Sequence, residues 1–264
     1  MNIPPFLDCD FHAANYQVGA TDAATDAMNA IRIALLGAGW SEPGAMYTLT
    51  SPALSDIIRF TVQLTRLDAN TIRYNVSDHL GRLINNRNPG GTRQIIPNSA
   101  YCNVYCGARY VYHEVCSTTL SFWHAGVLNK EPDPMDIPCP VYFASYGPVD
   151  DANGTLSNGY ERSYWNMWIA AAGAGSTIND LPCWTALSQT PDGFTAQGAM
   201  SFNPVEVGQG GGWYYGKMPN VVTCDASQWA DNTFVVPLTD SLTATFKVVR
   251  SGVLGNKVMC VRVA

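Results

Sequence analysis

Ile58, Phe60, Val62 and Leu64 alternate with Arg59, Thr61, Gln63 and Thr65, and Ile72, Tyr74 and Val76 repeat the pattern. A period of two belongs to a strand with one face buried, so these runs predict an antiparallel pair joined through Asp68 and Asn70. Further strands are expected at 93–96, 102–106, 110–115, 119–123, 141–145, 234–238, 244–250 and 257–263. Turn chemistry between them comes from Asn88-Pro89-Gly90-Gly91, Asp192-Gly193 and Ser251-Gly252. One stretch has the helical period: Ala24, Ala27, Met28, Ile31, Ala34 and Leu35 fall on one face. Thr21 is its expected cap, Asp22 and Asp26 suit the positive end of the dipole, and Gly37 or Gly39 ends it.

Two regions show neither period. Residues 1–20, with Pro4, Pro5, Phe6 and Phe11, predict an irregular arm lying on an apolar surface. Residues 148–232 hold Trp165, Trp168, Trp184, Trp213, Trp229 and the glycine-rich run 208–216, which predicts long loops with short strands. The expected fold is mainly β (α+β): an antiparallel β-sandwich or barrel-like domain with one N-terminal amphipathic helix and long loops. Its expected organisation is an arm over 1–20 and a single β-rich domain over 21–264, elaborated by loops at about 148–232.

Residues 121–147 combine two apolar runs with Pro132, Pro134, Pro138 and Pro140 between them. This reads as a rigid, proline-braced connection between two sheet strands, with Phe122, Trp123, Val141 and Phe143 as core anchors. Its polar tip, with Lys130, Glu131, Asp133 and Asp136, is expected to touch a neighbouring subunit.

Composition narrows the function classes. Charged residues make up 14% of the 264 residues, against a usual ~25%, which fits a surface largely covered by neighbours. The net charge of −6 gives no chain-wide basic field for nucleic acid, although Arg82, Arg87 and Arg93 gather around one loop as solvating groups or an interfacial ion pair. No run of 18 or more apolar residues is present, so no spanning helix is expected. The opening MNIPPFLDCD lacks a basic segment followed by an apolar one, which predicts folding in a cytoplasm. In that reducing setting Cys9, Cys102, Cys106, Cys116, Cys139, Cys183, Cys224 and Cys260 are expected as buried free thiols, open to later oxidation into cross-links.

Candidate chemistry is sparse. Cys102, Cys106, His113 and Cys116 offer four potential zinc ligands, yet strand alternation over 110–115 would send ligands to opposite faces. His113-Glu114 lacks the second histidine of a metalloprotease helix, since position 117 is Ser117. The window from Asp150 to Glu161 carries Ala152, Gly154 and Thr155 where a calcium loop needs other residues, which leaves Asp133, Asp136, Asp150 and Asp151 as a solvated acidic set. Gly37-Ala38-Gly39 follows a helix instead of opening one, and the run from Gly208 has Trp213 where a dinucleotide motif needs glycine. His12, His79, His113 and His124 stand apart from nucleophile motifs. No catalytic, cofactor-binding or metal-ligating residue is expected, and no enzyme. Trp213, Tyr214 and Tyr215 can stack on sugar rings or anchor a protein interface, which makes a carbohydrate- or receptor-binding β module the alternative function.

The order of segments carries one resemblance. The helix ending Gly37-Ala38-Gly39-Trp40 is followed by a strand over 46–50, Ser51-Pro52, IIRFTVQLTRL and TIRYNVSDHLG. HAGVLNKEPDPMDIPCPVYFASYG and a terminal GVLGNKVMCVRVA complete the outline. Over 21–147 and the C-terminal segment the chain resembles the uncharacterised virion structural proteins of tailed bacteriophages, found among neck, tail and baseplate components. That resemblance implies a building block acting through subunit–subunit contacts. It implies other virion proteins as partners, a symmetric homo-oligomer within the particle, and location in the virion. No membrane and no sequence-specific nucleic acid are expected as partners.

Overall fold

The computed structural model describes residues 11–53, 59–81, 83, 92–117, 121–129, 141–146, 149–150, 166–169, 179–180, 184–185, 194–196, 200–209, 213–225, 233–237, 243–251 and 257–264. The first elements in chain order are β1 (His12–Gln17), α1 (Ala23–Gly37), β2 (Thr48–Thr50), β3 (Phe60–Arg66), β4 (Thr71–Asp78) and β5 (Thr92–Ile95). Next come β6 (Tyr101–Cys106), β7 (Tyr110–Cys116), β8 (Ser121–Val127), β9 (Val141–Tyr146), β10 (Val149–Asp150), β11 (Asn166–Ile169), β12 (Asn179–Asp180) and β13 (Trp184–Thr185). The chain ends with β14 (Phe194–Ala196), β15 (Met200–Gln209), β16 (Trp213–Asp225), β17 (Thr233–Pro237), β18 (Thr243–Ser251) and β19 (Lys257–Arg262).

These strands pair antiparallel throughout. A central sheet runs β1-β6-β7-β8-β9-β11-β12, a second runs β10-β5-β4-β3-β2, and a third runs β13-β15-β16-β19-β18-β17 with β14 beside β15. The architecture is mainly β with one N-terminal helix, and the sheets stack as a sandwich. Among the described residues no sheet closes into a barrel.

The helix is built as its sequence implies, shifted by one residue at its start. Asp22, not Thr21, is the cap: its carboxylate accepts from the Thr25 amide (3.2 Å) and the Thr25 hydroxyl (3.0 Å). A carboxylate in that position satisfies an orphan amide and faces the positive end of the dipole. At the other end the Gly39 amide bonds the Leu36 carbonyl and the Trp40 amide bonds the Leu35 carbonyl, with Gly39 at φ 81°. This Schellman arrangement needs a left-handed residue, which glycine adopts without strain. Trp40 then enters the core, edge-on to Phe60 at 4.9 Å, with its indole N–H bonded to the Gly107 carbonyl at 2.9 Å.

One face of the central sheet packs on the second sheet, and α1 closes the side. Ala24, Met28, Ile31 and Leu35 of the helix, Phe60, Val62, Ile72 and Tyr74 of β3 and β4, and Val104, Val111, Trp123 and Phe143 of the central sheet share one core. Burial alternates along β3 and β4, as a strand with one wet face requires. On β7 and β8 it does not alternate: every residue from Tyr110 to Val115 and from Ser121 to Val127 is buried. The second face of the central sheet carries Tyr105, Tyr112, Phe122 and Tyr142, and the third sheet lies against it. Asn129 and Lys217 exchange backbone hydrogen bonds at 2.8 and 2.7 Å, Lys247 on β18 pairs with Glu114 on β7, and Arg262 lies 5.1 Å over the Phe11 ring. The molecule therefore has three β layers.

Two further expectations are corrected. The N-terminal segment is not irregular over His12–Gln17, which pairs residue by residue with β6. This edge strand is mostly exposed, so the backbone ladder holds it and no apolar period marks it. The stretch 148–232 also contains long strands: β15 has 10 residues and β16 has 13. Register shifts between Pro204 and Glu206 and between Val207 and Gly208 interrupt their pairing. In both shifts the extra residues lie on β16, which breaks the period of two along that strand.

Candidate functional site

Four chemistry-bearing side chains, His113, Glu114, Cys116 and His124, sit on β7 and β8 in the middle of the central sheet. Alternation divides them between its two faces. His113 looks toward the second sheet, whereas Glu114, Cys116 and His124 belong to the face turned to the third.

His113 sits in a neutral network. One arrangement of protons gives each polar hydrogen an acceptor: Nδ1–H donates to Gln94 Oε1 (2.9 Å), and Nε2 accepts from the Tyr16 hydroxyl (2.8 Å). Gln94 Oε1 also accepts from the Tyr74 hydroxyl (2.8 Å), and Gln94 Nε2 donates to Ser121 Oγ (3.0 Å). Burial holds the His113 imidazole down to about 3, so the ring stays uncharged. Burial also raises the Tyr16 and Tyr74 hydroxyls above the ordinary tyrosine value.

Glu114 occupies the opposite face and is fully buried. Tyr112 donates to its Oε2 at 3.0 Å, while Asn103, the Lys247 ammonium and the Cys116 thiol all approach Oε1. A buried carboxylate tolerates this setting because it is paired and hydrogen-bonded on both oxygens. His124 lies on the same face, 2.6 Å through Nδ1 from the Tyr142 hydroxyl and against the Tyr110 and Tyr112 rings. Burial holds it down to about 3 as well.

The cysteines are placed to pack. Cys102 and Cys106 are buried free thiols, Cys116 is a half-buried one, and Cys260 is buried on β19. Burial pushes Cys102 and Cys106 up to about 12, and burial together with Glu114 pushes Cys116 up to about 11. Cys102 and Cys106 share the face of His113, and Cys116 lies on the other. Among the described residues no three His, Cys, Asp or Glu side chains gather around a common point that would hold a metal.

Phe122, Trp123, Val141 and Phe143 are core residues, as the sequence implies. Phe11 stacks on Tyr105 at 6.1 Å beneath Arg262, and Trp213, Tyr214 and Tyr215 open strand β16. Cys224 is also on β16. Phe6, Lys130, Glu131, Asp133, Asp136, Cys9, Cys139 and Cys183 lie outside the described residues. Three members of these networks carried no signal in the sequence: Gln94, Tyr16 and Lys247. Each reaches its partner across a sheet pairing or between layers, over separations from 19 residues for Gln94 to 133 for Lys247.

The chain was compared with protein-family models and with curated proteins, and none matches it.

Proposed function

We propose that the chain is a structural subunit of a bacteriophage virion, working in a neck, tail or baseplate through contacts with other subunits. One observation carries this reading: among the described residues, the buried groups best suited to acid–base chemistry, His113, Glu114 and His124, are spent on holding the layers together. The His113 lone pair is taken by Tyr16, both Glu114 oxygens are occupied, and His124 faces three tyrosines. A sheet buried on both faces by such networks is a rigid frame with one specified register. The low charge and the exposed Ile33, Met46, Leu80 and Tyr101 suit a surface that meets other proteins. The partners under this reading are other virion proteins and further copies of the chain, arranged with cyclic symmetry about a tail axis.

Mass photometry and electron microscopy of the purified chain test the proposal. Closed rings or defined symmetric oligomers are expected, with no specific retention on a glycan array. A strict monomer at all concentrations that binds one glycan saturably would overturn the structural reading in favour of a carbohydrate-binding module.

A further inference from the structure

Arg73 on β4 and Arg93 on β5 stand directly opposite each other in the antiparallel register. Like charges in that relation repel and weaken a sheet unless something compensates. Both Nε atoms are shut off from solvent, and neither has a hydrogen-bond partner. Among the described residues neither guanidinium forms an ion pair. The two arginines line a cavity of about 320 Å³ with Leu67, Asp68, Thr71 and Ile95.

The charge of that cavity limits what fits. Asp68 accepts from the Asn70 amide at 2.8 Å, and this bond holds its carboxyl below the usual range, so it stays ionised. Among the described lining residues, two guanidinium groups and one carboxylate leave a single net positive charge. Leu67 and the half-exposed Ile95 add an apolar wall. A monoanion matches both features, whereas a phosphate dianion would leave excess negative charge beside Asp68. Guanidinium N–H groups suit a planar carboxylate, which accepts two parallel bonds.

We propose that the Arg73–Arg93 pocket binds a carboxylate group carried on a short apolar stem. The carboxylate comes either from a free organic acid or from an acidic side chain of a second copy of this chain. The site is independent of whether the chain builds a virion.

Butyrate is the probe, with the Arg73 and Arg93 Nε–H resonances as the readout in nitrogen-edited NMR of the intact chain. Butyrate is expected to shift both resonances saturably, while butanol and chloride at matched ionic strength do not. Arg93→Gln is expected to weaken butyrate binding about tenfold or more, the loss of a charge-assisted bond. Absence of a saturable shift in the wild-type chain overturns the proposal, as does tighter binding of inorganic phosphate than of butyrate. Asp150 stands opposite Arg93 in the β10 register, so Asp150→Asn tests for an internal competitor. If Asp150→Asn binds butyrate and the wild-type chain does not, the arginines are already served and the proposal fails. Mass photometry then identifies the source: oligomers that butyrate dissociates point to a second copy, and an unchanged mass distribution points to a free acid.

Discussion

Glu114 and Lys247, 133 residues apart in sequence, form an ion pair that pins the third sheet onto the far face of the central sheet. Glu114 is completely buried and Lys247 is 26% exposed, so the lysine comes in from the rim to neutralise an interior charge. Removing the lysine alone leaves that carboxylate uncompensated. Lys247→Met is therefore expected to destabilise the fold by about 2–4 kcal/mol, less than a fully buried pair because Asn103 and Tyr112 still donate. Adding Glu114→Gln to it is expected to recover much of the loss. Denaturant titration of the single and double variants gives the coupling, and additive losses would mean that the pair contributes nothing.

The two buried histidines predict a dependence on pH. Burial lowers both from an ordinary 6.5 to about 3, so the fold favours their neutral forms. As pH falls below about 6.5 the unfolded chain takes up these protons and the folded chain does not. Their contribution is thus fully present above pH 6.5 and is lost as pH falls toward 3, by up to about 1.4 kcal/mol per pH unit for each ring. Urea midpoints should drop steadily between pH 6.5 and 5, and His124→Gln should roughly halve the slope. Midpoints that stay level over that interval would show that the rings are not buried neutral.

Gly126 lies opposite Tyr110 at a point where the backbone approaches closely. A Cβ there would stand 2.6 Å from the Arg109 carbonyl oxygen, 3.0 Å from Tyr110 Cβ and 3.1 Å from the Tyr142 hydroxyl. The nearest atom is backbone and has nowhere to move. Gly126→Ala is expected to cost about 3 kcal/mol or more through overpacking. Gly37→Ala meets no atom within 4 Å and is the control, expected to be neutral or slightly stabilising. Thermal denaturation of the two variants compares them directly.

Thiol reactivity should follow burial. With Cys102 and Cys106 near 12 and Cys116 near 11, little thiolate exists at neutral pH. Among Cys102, Cys106, Cys116 and Cys260, iodoacetamide is expected to label Cys116 first and the others only after denaturation. Peptide mass spectrometry reads the order, and rapid labelling of Cys106 in the native protein would contradict its position beneath α1.

Several of these features were legible in the residues. The alternation of Phe60, Val62 and Leu64 with polar neighbours identified β3 because that strand has one wet face. The steps between Ala24, Met28, Ile31 and Leu35 identified α1 for the same reason. Where a strand is wet or dry on both sides the signal disappears. His12–Gln17 escapes a reading by period because an exposed edge has nothing to alternate with, and β16 escapes it because its bulges reverse its own period. The candidate chemistry was readable only by type. Alternation separates His113 from Cys116, but Cys102 and Cys106 share the face of His113, and nothing local matches Gln94, Tyr16 and Lys247 to their partners.

By itself, then, the sequence determined the elements with one wet face and the antiparallel β class, because periodicity records which side of each element meets apolar neighbours. Only the tertiary structure decided that a third sheet covers the central one. Layer stacking depends on contacts between residues far apart in the chain, such as Glu114 with Lys247, and no local pattern encodes them. The opposed Arg73 and Arg93 belong to the same class, since their repulsion exists only once β4 and β5 pair in that register.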